Sequence, residues 1–379
     1  MHWQHSSAPK ESFLLSADRP IVPQRDIPLA PLTTLGVGGR ARWFVRAKTL
    51  TEAVAALEWS RNSRIPALVI GGGSNLVVAD SGFEGVVLQM AIRGVEFKPA
   101  GPATMLQVGA GEPWDEVVGA AVQSGLAGLE CLSGIPGTTG GTPIQNVGAY
   151  GQDVSGTIVA VTVVDRRSGE IAMLDRSDCR FGYRTSRFKA EDAGRYLVCG
   201  VTFELRPAPP TLTYPDVLSE LERHGITAPT LADARNAVLS IRRRKGMVID
   251  PVDPDTRSVG SFFTNPVVSA DEHARIGTLV PGRVPGFTLA GGDVKIPAAW
   301  LIVQAGFKPG FSTGAAGISS KHPLAIMNRG GASARDVVDL AVRIKRQVAD
   351  RFGIWLRPEP AFVGFGSDPD VRFLEEPGN

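Results

Sequence analysis

Apolar positions along this chain fall into short runs whose spacing switches repeatedly between a period of two and one near 3.6, so short strands and helices should alternate. Residues 42–46 and 66–70 read as strands, as do 76–78 and 85–88. Between the first two, residues 51–60 place Ala53, Val54, Leu57 and Trp59 at helical spacing, with Thr51 as the expected N-cap. A strand at 105–109 precedes an amphipathic helix over 114–124, which Gly125 should stop as its C′ residue. Further strands are expected at 158–164, 171–174 and 197–205, completing a sheet. The later pattern predicts helices over 230–245 and 337–352 and a strand at 354–356.

The pattern also divides the chain. Residues 1–25 are polar, rich in Ser and Pro and without period, which predicts a mobile extension. Residues 26–205 form an α+β region, with subdomains of about 26–95 and 96–205. Residues 206–245 begin at a Pro-rich join and carry a helix with a basic end. Residues 246–354 make a C-terminal domain, and 355–365 should pack back on the first region. A chain of 379 residues exceeds what one core usually serves, which agrees with such a division.

Two glycine-rich stretches interrupt the pattern. Residues 131–151 (CLSGIPGTTGGTPIQNVGAYG) show neither period and read as a long shaped loop. Glycine lets backbone approach a ligand closely, and consecutive free N–H groups make concavities that hold phosphate oxygens. A flexible linker would not keep Ile135, Ile144, Val147 and Tyr150 among its glycines. The second stretch, Gly71, Gly72, Gly73, Ser74 and Asn75, follows a strand directly and is another phosphate-type turn. A strand, not a helix, follows it, which tells against a P-loop or Rossmann unit. The GVGG at 36–39 lacks the strand and helix context of a dinucleotide fingerprint.

Two such loops in one region can hold the phosphates and adenosine of a dinucleotide. Neither supplies a nucleophile beside a base, so a bound cofactor should carry the chemistry, and redox is the expected class. Composition narrows the rest. A net charge of +2 gives no reason to expect nucleic acid or an anionic membrane as partner. Cys131, Cys179 and Cys199 show no CxxC spacing, and the five histidines form no ligand cluster, so neither a disulfide framework nor a metal is expected. No run fits a signal peptide or a membrane span, which predicts a cytoplasmic protein.

On spacing alone the candidate reactive groups stay open. Arg184, in FGYRTSRFK at 181–189, reads as a surface cation beside an edge strand. Ser261, in GSFFTNP at 260–266, reads as a turn serine. Glu359, between Pro358 and Pro360, is rigidly placed, which is unusual for a solvated carboxylate. Arg242, Arg243, Arg244 and Lys245 are either cations favoured at a helix C-terminus or an anion clamp.

Taken together, TLGVGG (34–39), GGGSN (71–75), GIPGTTGGTPIQNVGAYG (134–151), FGYRTSRF (181–188), GSFFTNP (260–266) and RPEP (357–360) stand in one order that resembles a known family. It is the UDP-N-acetylenolpyruvoylglucosamine reductase family, also called MurB, and the likeness is to its longer, type I members. It spans roughly residues 27–365. The resemblance implies the FAD-binding α+β fold shared with vanillyl-alcohol oxidase, in two subdomains, plus a third α+β substrate-binding domain. It implies non-covalent FAD, NADPH as co-substrate, and a UDP-linked enolpyruvyl amino sugar reduced to UDP-N-acetylmuramate for peptidoglycan. Hydride would pass from NADPH to flavin N5 and on to the substrate, and a monomer is expected.

By the same resemblance, Ser261 occupies the proton-donor position. Arg184 faces the developing enolate, and Glu359 orients the substrate carboxylate or a bridging water. Gly71 to Asn75, Ser133, Ile135, Gly137, Thr138, Gly141, Tyr183 and Arg242 fall at cofactor positions. Tyr150, Tyr214, Lys245, Asn265 and Gln304 fall at substrate positions. The chain departs from the family at Ala361, where many relatives carry Arg or Lys, and matches it only loosely over 293–321. Two competing readings are an alcohol oxidase of the same cofactor superfamily and a non-enzymatic nucleotide-sugar binder. Many such oxidases tether FAD through a histidine in the first glycine loop, which has none here.

Overall fold

The computed structural model describes residues 21–376, and most of the expected N-terminal extension lies outside them. The first sheet is built from β1 (Gln24–Pro28), β2 (Arg40–Ala47), β3 (Ala67–Ile70) and β5 (Phe83–Met90), in the order β1-β2-β5-β3. β1 pairs antiparallel with β2, so ordered chain starts within the stretch read as extension. Parallel β2, β5 and β3 are covered by α1 (Leu50–Asn62), which buries Ala53, Ala56 and Leu57 against Val45 and Leu88. The α1 N-cap is Thr49, whose hydroxyl accepts the Glu52 N–H at 3.1 Å, and not Thr51. Thr49 has the extended backbone a cap needs, while Thr51 already lies in the first turn. β4 (Leu76–Val78) leaves this sheet.

The second sheet is antiparallel. Its core strands are β6 (Val95–Ala100), β7 (Ala103–Gly109), β11 (Ile158–Asp165), β12 (Ile171–Asp175) and β13 (Tyr196–Pro207), in the order β12-β11-β13-β7-β6. β8 (Leu126–Ala127) pairs with Arg206 and Pro207, so the start of the Pro-rich join is still strand. α2 (Trp114–Gln123) buries Trp114, Val117, Val118 and Ala121 against this sheet, and Gly125 follows at φ +71°. β9 (Gly148–Ala149) and β10 (Gln152–Asp153) form a small hairpin at the end of the long glycine loop. Val164, Leu197 and Cys199 of the second sheet lie in the α1 core, so the two sheets share packing.

α3 (Pro215–Arg223) then packs on α4 (Leu231–Arg244) through Val217, Leu221, Val238 and Ile241. A capping box between Thr230 and Asp233 starts α4. Glu220 is buried in this contact and accepts both arms of Arg244 at 2.7 Å, together with the Ser240 hydroxyl. Arg244 is therefore a structural partner of α3.

The remaining described residues form two three-stranded sheets and four α-helices. The strands are β14 (Val267–Val268), β15 (Phe287–Thr288) and β16 (Val294–Lys295), then β17 (Ser312–Thr313), β18 (Ala316–Ile318) and β19 (Ile326–Asn328). The helices are α5 (Ala270–Gly277), α6 (Ala298–Gln304), α7 (Ala334–Phe352) and, after β20 (Ala361–Val363), α8 (Pro369–Glu375). Their core also takes Leu35, Val37 and Val77, and Asn328 donates to the Leu35 and Gly36 carbonyls at 3.2 Å. TLGVGG is thus a structural seam between the first and last parts of the fold.

Residues 354–356 are not a strand. They alternate buried and exposed as a strand would, yet no neighbouring edge pairs with them, and the chain pairs instead at β20, parallel to β4. Lys345, fully buried on α7, donates to the Phe373, Leu374 and Glu376 carbonyls at 2.7–2.8 Å and so holds the end of α8.

Candidate active site

The two glycine loops meet backbone to backbone. Gly71 to Asn75 leaves β3 and lies on Gly137 and Thr138 of the long loop. A Cβ on Gly72 would come within 2.9 Å of the Gly137 Cα, and one on Gly71 within 2.4 Å of the Thr138 hydroxyl. Gly73 sits at φ +63° with its Cβ direction 1.9 Å from the Leu32 carbonyl, so only glycine fits. Ser74 donates its hydroxyl to the Pro136 carbonyl at 3.1 Å.

The long loop is held from behind. Its backbone is bonded to Ala110, Glu112 and Trp114 at the mouth of α2, and Gly134 N–H reaches Asp115 at 2.6 Å. The Ser133 hydroxyl is spent on the Glu130 carbonyl, 2.7 Å away, so it acts within the loop. Ile135 packs on the second core, and Gly141 is exposed. Burial pushes the Cys131 thiol up to about 12, which removes it as a nucleophile at neutral pH.

Two buried polar atoms here have no protein partner: the Thr138 hydroxyl and the Arg242 Nε. Arg242 is 8 % exposed, and its Nε lies 3.4 Å from the Cβ direction of Gly134. A buried donor normally finds an acceptor. A hydroxyl, a guanidinium N–H and closely packed glycine backbone form a donor set that suits the pyrophosphate of a dinucleotide, so FAD fits these loops.

Asn75 joins three segments. Its amide donates to Gln145 Oε1 at 2.9 Å and to the Glu359 carbonyl at 3.1 Å, while its own carbonyl accepts Ala361 N–H at 3.0 Å. Glu359 N–H in turn reaches the Phe262 carbonyl at 2.9 Å, and Phe263 forms a bridge with Pro358. GSFFTNP and RPEP therefore run side by side, which brings Ser261 to the Glu359 end of that pairing.

Arg184 completes the group, with its Nε 3.7 Å from Glu359 Oε1. It stands at φ +54° in a tight 182–185 turn. That turn is docked on the glycine loop by Asn146, which donates to the Gly182 carbonyl at 3.1 Å, and by Ser186, whose hydroxyl reaches the Ile144 carbonyl at 2.6 Å. Asn146 and Tyr150 also have positive φ, at +46° and +50°. Each such residue costs about 1–3 kcal/mol, and clustering of this strain marks functional segments. Sequence spacing had left Arg184 as a surface cation; the turn aims it inward.

Lys189, in the same FGYRTSRFK run, is exposed. Desolvation lowers its ammonium pKa, and the charges of Glu359 and Arg184 act on it with opposite signs. The side chain of Tyr183 is exposed, with the Lys295 ammonium 5.0 Å from its ring centre.

A second cluster gathers at the basic end of α4. Tyr150 and Tyr214 meet edge to face at 5.4 Å, and the Lys245 ammonium lies 5.9 Å from the Tyr150 ring and 3.1 Å from Asp216. Burial raises the Tyr150 and Tyr214 pKa values, which keeps both as hydroxyl donors. His322 accepts Leu324 N–H on Nδ1 at 3.1 Å. Burial, then the charges of Lys245 and Arg242, hold its pKa down at about 4, so it is neutral with its proton on Nε2.

Two expected substrate residues make contacts of their own at α6. Asn265 Oδ1 caps α6 by accepting Ala298 N–H at 2.9 Å, while Gln304 ends the same helix, its carbonyl taken by Arg351. Among the described residues, no His, Cys, Asp and Glu group could hold a metal, and no helix is long and apolar enough to cross a membrane.

Comparison with known proteins defines the class first. Residues 41–175 match the family described as FAD binding domain, and residues 250–363 match UDP-N-acetylenolpyruvoylglucosamine reductase, C-terminal domain. The fold is thus an α+β FAD-binding region followed by a further α+β domain, as the motifs had implied.

The chain is 49 % identical over 352 residues to the UDP-N-acetylenolpyruvoylglucosamine reductase of Thermobifida fusca, covering 90 % of this chain and 98 % of that one. It is 43 % identical over 353 residues to that of Mycobacterium tuberculosis, covering 89 % and 94 %. The crystal structure of MurB from Thermus caldophilus superimposes with a TM-score of 0.63 at 26 % identity, over 90 % of this chain and 99 % of that one. The chain belongs to the UDP-N-acetylenolpyruvoylglucosamine reductase family, and it is an FAD-binding oxidoreductase of peptidoglycan precursor synthesis.

Proposed function

We propose that this chain reduces UDP-N-acetyl-3-O-(1-carboxyvinyl)-glucosamine to UDP-N-acetylmuramate with NADPH, acting as a cytoplasmic monomer. In balance, NADPH and one proton saturate the enol ether double bond, and NADP⁺ leaves. The observation that supports this best is the convergence of Arg184, Glu359 and the Ser261 segment, three stretches far apart in sequence. Non-covalent FAD, when bound, supplies the two-electron chemistry. Gly71, Gly72, Gly73, Ser74, Asn75, Gly137, Thr138 and Arg242 would hold its phosphates by backbone and buried donors. Ser133, Ile135, Gly141 and Tyr183 would shape the rest of its bed.

The remaining steps belong to side chains. Arg184 provides a fixed cation where the enolate charge develops, and its turn keeps it there before substrate arrives. Glu359, held by Asn75 and Phe262, orients Arg184 and the substrate carboxylate. Ser261 donates the proton to the α-carbon; an isolated serine is a weak acid, so the nearby cations must stabilise the alkoxide left behind. Tyr150, Tyr214, Lys245, Asn265 and Gln304 would bind the UDP-sugar.

Ser261→Ala tests the assignment. Flavin reduction by NADPH should proceed at the normal rate, while reoxidation by the enolpyruvyl substrate should fall by about 10²–10⁴-fold, the range for losing a general acid. Normal reoxidation in this variant would remove Ser261 from the proton-donor role.

A further inference from the structure

Lys245 is held by an acid from the helix that carries Tyr214. Tyr214 is the N-cap of α3, and Asp216 lies two residues on in its first turn. Tyr214 touches the Tyr150 ring, and Asp216 bonds the Lys245 ammonium that faces the same ring. The rest of α3 is fixed on α4 by buried Val217, Leu221 and Glu220. Asp216, at the start of α3, and Lys245, at the end of α4, have side chains 49 % and 35 % exposed. The Asp216 charge acts on the hydroxyls of both Tyr150 and Tyr214. Arg242, buried nearby, leaves its Nε unpartnered.

We propose that Asp216 is a positioning residue that serves as an internal counter-anion for Lys245, and that an anionic group of the UDP moiety displaces it on binding. This rests on the reading of Lys245 as a UDP contact. The free ion pair keeps Lys245 aimed along Tyr150, and α3 stays docked on it through two contacts. A diphosphate beside Asp216 would meet a like charge, so the carboxylate must give up the ammonium for the ligand to take it. Asp216 thereby lowers affinity and discriminates against weakly charged ligands that cannot displace it.

The test is UDP binding by titration calorimetry to the FAD-loaded enzyme, with Asp216→Asn, Lys245→Met and the double variant. Asp216→Asn keeps a hydrogen-bonding side chain and removes the charge. It should tighten UDP binding by about 1.5–5-fold at low salt, the scale of one exposed ion pair, and the gain should shrink in high salt. In the Lys245→Met background the same change should have much less effect. With the UDP-sugar substrate, the gain should appear in KM and not in kcat. Unchanged or weaker UDP binding by Asp216→Asn would overturn the proposal. A wild-type enzyme that does not bind UDP would instead overturn the reading of Lys245.

Discussion

Asn75→Ala should uncouple cofactor binding from the placement of Glu359. The side chain makes two hydrogen bonds, at 2.9 Å to Gln145 Oε1 and 3.1 Å to the Glu359 carbonyl. Each contributes about 1 kcal/mol net, so their joint loss is worth about 2 kcal/mol. At 1.4 kcal/mol per tenfold, that is about 30-fold in the equilibrium that keeps Glu359 beside Arg184. The backbone bond from Ala361 to Asn75 survives, so β20 stays paired with β4 and the protein should fold. In anaerobic stopped-flow, flavin reduction by NADPH should change by less than about threefold. Reoxidation by substrate should slow by about 10–30-fold, on the same arithmetic. If both rates stay within twofold of wild type, the Asn75 junction does not set the position of Glu359, and the structural argument for that carboxylate fails.

Other perturbations separate cofactor seating from stability. Gly73→Ala forces a left-handed alanine, costing about 1–2 kcal/mol, and drives its Cβ into the Leu32 carbonyl. The purified variant should carry less FAD than wild type, and full FAD occupancy would contradict the packing described. Lys345→Met removes the donor from the Phe373, Leu374 and Glu376 carbonyls, of which the Leu374 bond is fully buried, and should cost about 1–3 kcal/mol, read as a lower urea midpoint with an accessible α8. An unchanged midpoint would show that those carbonyls find other partners. The hydrogen bonds of Arg244 hold the Glu220 carboxyl at about 2, below its ordinary 4.5. Its stabilisation is therefore complete above about 4.5 and lost as pH falls toward about 2. Glu220→Gln should flatten that acid limb of the stability curve, and an unaltered limb would assign it to other carboxylates.

The sequence carried local information well and tertiary information through motifs alone. Strands β3 and β11 and helix α4 were legible because their apolar periods are unbroken and caps or glycines bound them. The strand at 354–356 was misplaced because alternation in Ile354, Trp355 and Leu356 matches a strand whether or not an edge pairs with it. α3, α5, α6 and α8 are short, and period alone does not separate such segments from loop. Arg184 and Glu359 are far apart in sequence, and no spacing rule joins them; the likeness in motifs did. Lys189 was in view within FGYRTSRFK, but no spacing rule ties it to Glu359, whose charge acts on it in the fold. His322 offered no signal in sequence, since its role depends on a backbone N–H two residues on and on the end of α4.

The most direct test of the account is the visible absorption of the purified protein under anaerobic conditions. The protein should be yellow, bleach when NADPH is added, and regain its colour when the UDP-linked enolpyruvyl sugar follows in the absence of oxygen. A protein that bleaches but is not recoloured by that sugar would contradict the proposed substrate. A protein that neither carries nor takes up FAD would contradict the reading of the two glycine loops.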